Sequence, residues 1–149
     1  MSSAHAVRHR WVYYAACVWA LGFAAPHTWW ALGSPFGFPG GAANHHLWMT
    51  SWWRYLYDVV VILLSFLGAV VALALRPWAH ARLRRVFRAL AWIAAGLLTL
   101  RGVAGLIVDG SADPIWWPTF LAGGLLFGGV AKLSRSQPTP SVAASQLAL

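Results

Sequence analysis

The stretch YLYDVVVILLSFLGAVVALAL, running from Tyr55 to Leu75, decides the fold class. A helix needs about 20 consecutive apolar residues to cross the hydrocarbon core of a bilayer. This run supplies them with a single charged residue, Asp58, near its start. Outward from it lie three further segments of similar character: Trp11–Leu32, Val86–Val108 and Ile115–Leu133. The composition agrees, because 60% of the 149 residues are hydrophobic and only 9% are charged. A soluble domain carries about 45–50% apolar and about 25% charged residues. Eleven Trp residues and three acids do not make a soluble surface. A cytosolic enzyme, a nucleic-acid module and a disulfide scaffold are all excluded on this count. Cys17 is the only cysteine, so neither an intramolecular disulfide nor paired-cysteine redox chemistry is available.

The first segment has some features of a signal peptide, since Arg8 and Arg10 precede an apolar run ending in Ala24-Ala25. It is too long for one, and Pro26 would follow the best cleavage point. It reads as a retained span. Orientation then follows from the positive charges. Arg8 and Arg10 precede span one, Arg76, Arg82, Arg84, Arg85 and Arg88 surround the loop between spans two and three, and Lys132 and Arg135 follow span four. Of the 11 Lys and Arg residues this leaves only Arg54 and Arg101 elsewhere, while Asp58, Asp109 and Asp113 fall toward the opposite side. The expected architecture is therefore an all-α, four-helix transmembrane bundle of the cytoplasmic membrane, with both termini inside. So strong a bias argues against a dual-topology multidrug transporter. The net charge of +8 is explained by insertion and by contact with anionic lipid. No nucleic-acid partner is expected.

The aromatic residues divide in the same way. Trp29-Trp30, Trp52-Trp53 and Trp116-Trp117 fall at the outer boundary with Trp48, Tyr55 and Tyr57; Trp11, Tyr13, Tyr14, Trp78 and Trp92 fall at the inner one. Indole is apolar with one donor that seeks water, so an interfacial belt accounts for most of them. The other reading is that some line a cavity for an apolar, aromatic or cationic ligand. Between spans one and two, Ser34-Pro35-Phe36-Gly37-Phe38-Pro39-Gly40-Gly41 precludes regular helix, and Asn44 to Trp53 suits a short interfacial helix. The tail 134–149 has a disordered composition. The chain carries no internal repeat.

Membrane helices associate through small residues. Ala16, Ala20 and Ala24 share a face of span one with His27; Asp58, Ser65 and Ala72 share one of span two; Ala94, Arg101 and Gly105 share one of span three. Span four offers Trp117, Gly124, Gly128 and Ala131, with Gly124-x-x-x-Gly128 matching a close-packing motif. The helical rise places Asp58 about 6 Å, His27 about 9 Å and Arg101 about 12 Å inside the outer boundary. A charge within a membrane costs roughly 2.5–3.5 kcal/mol on insertion scales, so pairing or function is expected of each. An Arg101–Asp58 ion pair with His27 nearby follows. The alternatives are that Asp58 pairs with Arg54, that Arg101 snorkels outward, and that His27 bonds a carbonyl freed by Pro26.

His45-His46 in the outer loop are weak metal candidates, to be completed by His27, Asp109 or Asp113, although no familiar ligand spacing is present. No metal, haem or other cofactor is assigned, since only His27 lies within a span. Ser65, Thr28 and Thr119 have no identifiable partner for nucleophilic catalysis. His27-Thr28-Trp29-Trp30-Ala31-Leu32-Gly33, Arg101-Gly102 and Trp117-Pro118-Thr119-Phe120 resemble the signatures of a bacterial family of four-span proteins catalogued as domain of unknown function 3995. The resemblance runs from about Tyr14 to Ala131. It implies a four-span fold in a bacterial inner membrane and a role for His27 and Arg101, and it implies no reaction.

The functional expectation is a small-ligand binding or permeation-related protein with a polar pocket in the outer leaflet. Asp58 and Arg101 would hold a small apolar or cationic ligand, His27 would handle a proton, and Trp29, Trp30, Trp116 and Trp117 would wall the site. The runner-up is an accessory or structural subunit with a membrane-protein partner or as a homo-oligomer. An outer-leaflet lipid-modifying enzyme comes third.

Overall fold

A computed structural model describes residues 10–76, 81–108 and 115–135, and over these the chain is all-helical. The elements in order are α1 (Arg10–Ala31), α2 (Gly41–Met49), α3 (Trp52–Ala74), α4 (Ala81–Val108) and α5 (Trp116–Leu133), with no strand among the described residues. Arg8, Trp78, Asp109, Asp113 and the tail beyond Arg135 lie outside the described residues.

Among the described residues two helices are long and apolar enough to cross a membrane: α3, and α4 over Leu83–Val108. The segments expected as spans one and four are helical where the sequence places them, but they fall short in apolarity. In α1 the cause is Tyr13, Tyr14 and four Trp residues together with Pro26 and His27. In α5 it is Trp116-Trp117-Pro118, the glycines and Lys132. These are side chains suited to an interface or to close packing as much as to lipid.

The helix ends show how the sequence sets the boundaries. Gly33 (φ 94°) closes α1, with its N–H bonding the Trp30 carbonyl at 2.9 Å and the Ser34 N–H reaching the Trp29 carbonyl at 3.2 Å. That pair of bonds is a Schellman motif, whose left-handed position favours glycine. The short helix α2 begins at Gly41 and stops at Met49, not Asn44 to Trp53 as the sequence suggests. Gly40 and Gly41, both at φ 79°, turn the chain into it. Thr50 bonds back to the Leu47 carbonyl at 2.9 Å, and the Ser51 carbonyl accepts the N–H groups of Arg54 and Tyr55, so a new helix starts at Trp52. α4 starts at Ala81, ahead of the apolar stretch, because arginine is a good helix former.

The chain divides into two compact units, Cys17–Val70 and Met1–Ala16 with Val71–Leu149. Small residues dominate what is buried: Ala16 and Ala20 on α1, Ala69 and Ala72 on α3, Ala91 and Ala95 on α4. Large apolar side chains such as Leu63, Leu97, Ile107 and Leu125 point outward. Small residues inside and leucines outside is how helices pack when lipid is the solvent.

In the second unit α4 packs along α5. A methyl group added at Gly124 would run into the Thr99 hydroxyl and lie 3.1 Å from the Thr99 backbone nitrogen and 3.2 Å from the Ala95 carbonyl. Gly128, its partner in the GxxxG spacing, is looser, with Ala95 Cβ at 3.8 Å. Gly102 is again tight, since Leu121 would sit 2.7 Å from an added methyl. Close approach therefore rests on Gly124 and Gly102. Gly124→Ala is expected to destabilise the protein by about 1–3 kcal/mol, as overpacking does. Gly128→Ala is expected to stay within about 0.5 kcal/mol of the parent. Thermal unfolding in detergent, followed by circular dichroism, checks both.

Candidate functional site

The first unit brings the end of α1, the loop after it, α2 and the start of α3 into one cluster. At its centre is Asp58, 1% exposed and the sole acid among the described residues. His27 Nδ1 lies 2.8 Å from Asp58 Oδ1, and both side chains are buried. Trp48 Nε1 donates to Asp58 Oδ2 at 2.8 Å. One carboxylate thus ties α1, α2 and α3 together.

Each partner is positioned by local structure. His27 follows Pro26 within α1. Asp58 lies on the second turn of α3, and Trp48 is carried by α2. The side chain of His45, one turn before Trp48, reaches back to α1, with Nε2 3.0 Å from the Trp30 carbonyl. A carbonyl only accepts, so Nε2 carries the proton in this bond. Trp30 in turn donates from Nε1 to the Phe36 carbonyl at 3.1 Å, which pins the Gly- and Phe-rich loop.

Rings fill the space between these bonds. His27 meets Trp30 edge-on at 5.1 Å and Tyr57 at 6.3 Å, with Phe23 beneath it at 5.1 Å. Phe38 contacts Trp30, His45 and Trp48 at 5.2, 5.1 and 5.7 Å, all near-perpendicular. The Arg54 guanidinium lies 5.4 Å from the Trp48 ring centre. Edge-to-face pairs of this kind contribute about 0.5–1.5 kcal/mol each beyond area burial. Next to the cluster is an open depression of about 340 Å³ lined by Gly33, Pro35, Ala42, His45, His46 and Met49.

Chemically, the arrangement holds a proton on the axis between Asp58 Oδ1 and His27 Nδ1, because either atom can carry it. Trp48 can only donate, so Oδ2 stays an acceptor whichever partner holds that proton. The carboxylate meets the N–H edge of one ring and a nitrogen of another, while Trp30, Tyr57 and Phe38 pack on those two rings.

Of the residues singled out from sequence, His27, Asp58 and Trp30 come together here. Trp29, paired with Trp30 in the sequence, is 54% exposed while Trp30 is 5% exposed, since neighbours on a helix point about 100° apart. Arg101 and Asp58 belong to different units, and each has a partner within its own. The Arg101 guanidinium lies 5.1 Å from the Phe120 ring centre, while Asp58 engages His27 and Trp48. The alternative partner Arg54 covers the Trp48 ring, and the one ion pair among the described residues is His27–Asp58. Trp116 and Trp117 are half-buried in the second unit, where Trp117 Nε1 finds no acceptor among the described residues. No three His, Cys, Asp or Glu side chains assemble a metal site among the described residues. Thr28 and Thr119 bond carbonyls one turn back, at 2.9 and 2.7 Å, and so serve their helices.

Trp48, Phe38 and the inward role of His45 are absent from the sequence-based site. One signal pointed to Trp48: a buried indole N–H needs an acceptor, and few are offered so close in the chain. The chain matches no protein-family model, no curated protein and no solved structure.

Removing the carboxylate strands the half-buried Trp48 N–H and the buried Nδ1 of His27, and a buried polar group left unsatisfied costs about 1–3 kcal/mol. Asp58→Leu is expected to destabilise the protein most and Trp48→Phe, which keeps the ring and removes one donor, by about 1–2 kcal/mol. Denaturant unfolding of the detergent-solubilised chain measures the order; a Trp48→Phe midpoint equal to the parent's would mean the indole bond contributes nothing.

Proposed function

We propose that the chain is a multi-pass protein of the cytoplasmic membrane that binds a small cationic ligand on its outer side. The observation that carries this reading is the buried Asp58 carboxylate, held by His27 and Trp48 within a shell of aromatic rings beside an open depression. Ionisable residues buried in an apolar setting are costly and mark functional sites by default. A carboxylate and several electron-rich ring faces in one cluster favour a cation over an anion or a neutral solute. The depression supplies room for it, and His45 links that room to the cluster through Trp30 and Phe38.

The ligand reading is tested by thermal stabilisation of the purified chain. Tetraethylammonium, tetraphenylphosphonium and first-row metal ions form the cation panel, with tetraphenylborate as an anion of matched size. At least one cation is expected to raise the unfolding temperature of the parent, with the rise reduced in Asp58→Asn and the anion without effect. No rise with any cation would overturn it.

The membrane arrangement rests on α3 and α4, which are apolar enough to span, and on the one-sided placement of Lys and Arg. In the proposed arrangement α1 and α5 complete four spans, as the likeness to the four-span bacterial family implies, and both termini are cytoplasmic. Green fluorescent protein fused after Leu149 is then expected to fluoresce, and alkaline phosphatase fused in the loop after Gly33 to be active. The opposite pair of results would reverse the orientation.

A further inference from the structure

The depression beside the aromatic cluster has a donor set that its size alone does not explain. Ala42, His45, His46 and Met49 all line it, and all four lie on α2. Their spacing is i, i+3, i+4 and i+7, which puts them on one face of a helix. That face therefore carries two imidazoles and a thioether, with a small alanine leaving space before them.

His45 is already set up as a ligand. Its Nε2–H is taken by the Trp30 carbonyl, and Phe38 packs on the ring at 5.1 Å. In the neutral ring the lone pair is then on Nδ1, to which no described residue hydrogen-bonds. A backbone carbonyl that fixes the tautomer and orientation of an imidazole is the usual outer partner of a metal-bound histidine. His46 is exposed and Met49 is half-buried on the same depression.

We propose that the depression binds a single Cu(I) ion through His45 Nδ1, the imidazole of His46 and the Met49 thioether. The assignment rests on the reading of this depression as a cation site and names its cation. Thioether sulfur is a soft donor that selects Cu(I), whereas imidazole alone would suit zinc, nickel and copper equally. With no carboxylate or thiolate among the lining residues, the site has no anionic donor to offset a divalent charge, which favours the monovalent ion.

The test uses the full chain in detergent, in a Cys17→Ser background so that the lone thiol does not compete. Cu(I), kept reduced with ascorbate under anaerobic conditions, is titrated against bicinchoninate. The expected result is one Cu(I) per chain, with affinity lowered at least about tenfold by Met49→Leu and by His46→Ala. The X-ray absorption edge should report a mixed nitrogen and sulfur shell that loses its sulfur in Met49→Leu. Met49→Leu keeps the side-chain volume, and unchanged circular dichroism confirms that the fold survives. Absence of Cu(I) binding, binding unchanged in both variants, or a shell without sulfur would overturn the proposal. Zinc bound as tightly and with the same dependence on Met49 would overturn the choice of ion. If tetraphenylphosphonium stabilises the parent while Cu(I) does not bind, the copper assignment fails and the cation site stands; if no cation binds, both fail.

Discussion

The first unit depends on how Asp58 is satisfied. A carboxylate with 1% exposure has lost its water, and that loss is tolerable only where protein donors replace it. Here the Trp48 indole donates to it and the His27 imidazole shares a proton with it, each at 2.8 Å and each from another helix. Because both partners are rings, satisfying the carboxylate also fixes the orientation of the imidazole and the indole. Those orientations then decide how Tyr57, Trp30 and Phe38 pack. Polar satisfaction and aromatic packing are in this way one constraint.

The loop between α1 and α2 follows from the same arrangement. It has no regular structure of its own, and its Pro and Gly residues prevent any. It is held by the Trp30 indole on the Phe36 carbonyl and by Phe38 among three rings. The short helix α2 is too brief to be stable alone, so its anchors matter more than its propensity. His45 and Trp48, one turn apart, bond α1 and α3, and His45 also lines the depression with His46 and Met49. A helix of nine residues thus presents one set of side chains to the buried carboxylate and another to solvent.

The second unit is organised by a different rule. Three of its arginines settle over rings: Arg76 over Tyr14 at 4.8 Å, Arg101 over Phe120 at 5.1 Å and Arg135 over Trp92 at 5.5 Å. With acids so scarce, aromatic faces are the available partners for cations, and arginine stacks on them well. Its helices approach through glycine, where a backbone nitrogen and a carbonyl would lie within 3.2 Å of any added side-chain carbon at Gly124.

Composition and periodicity by themselves determined the helical class, the approximate helix ends and the inward faces of His27, Asp58 and the alanines of α1. These are legible because each depends on local spacing: an apolar run, a glycine at a helix end, small residues one turn apart. That His27 lies near Asp58 was legible from depth and facing; the bond from Trp48 was not, because it comes from a short helix whose placement no local pattern fixes, and only the tertiary structure decided that His27 and Trp48 take the carboxylate. The difference between Trp29 and Trp30, and between Gly124 and Gly128, was hidden for the same reason. Trp29 and Trp30 are separated by a rotation about the helix axis, whereas Gly124 and Gly128 share a face and differ in what the adjacent helix sets against each.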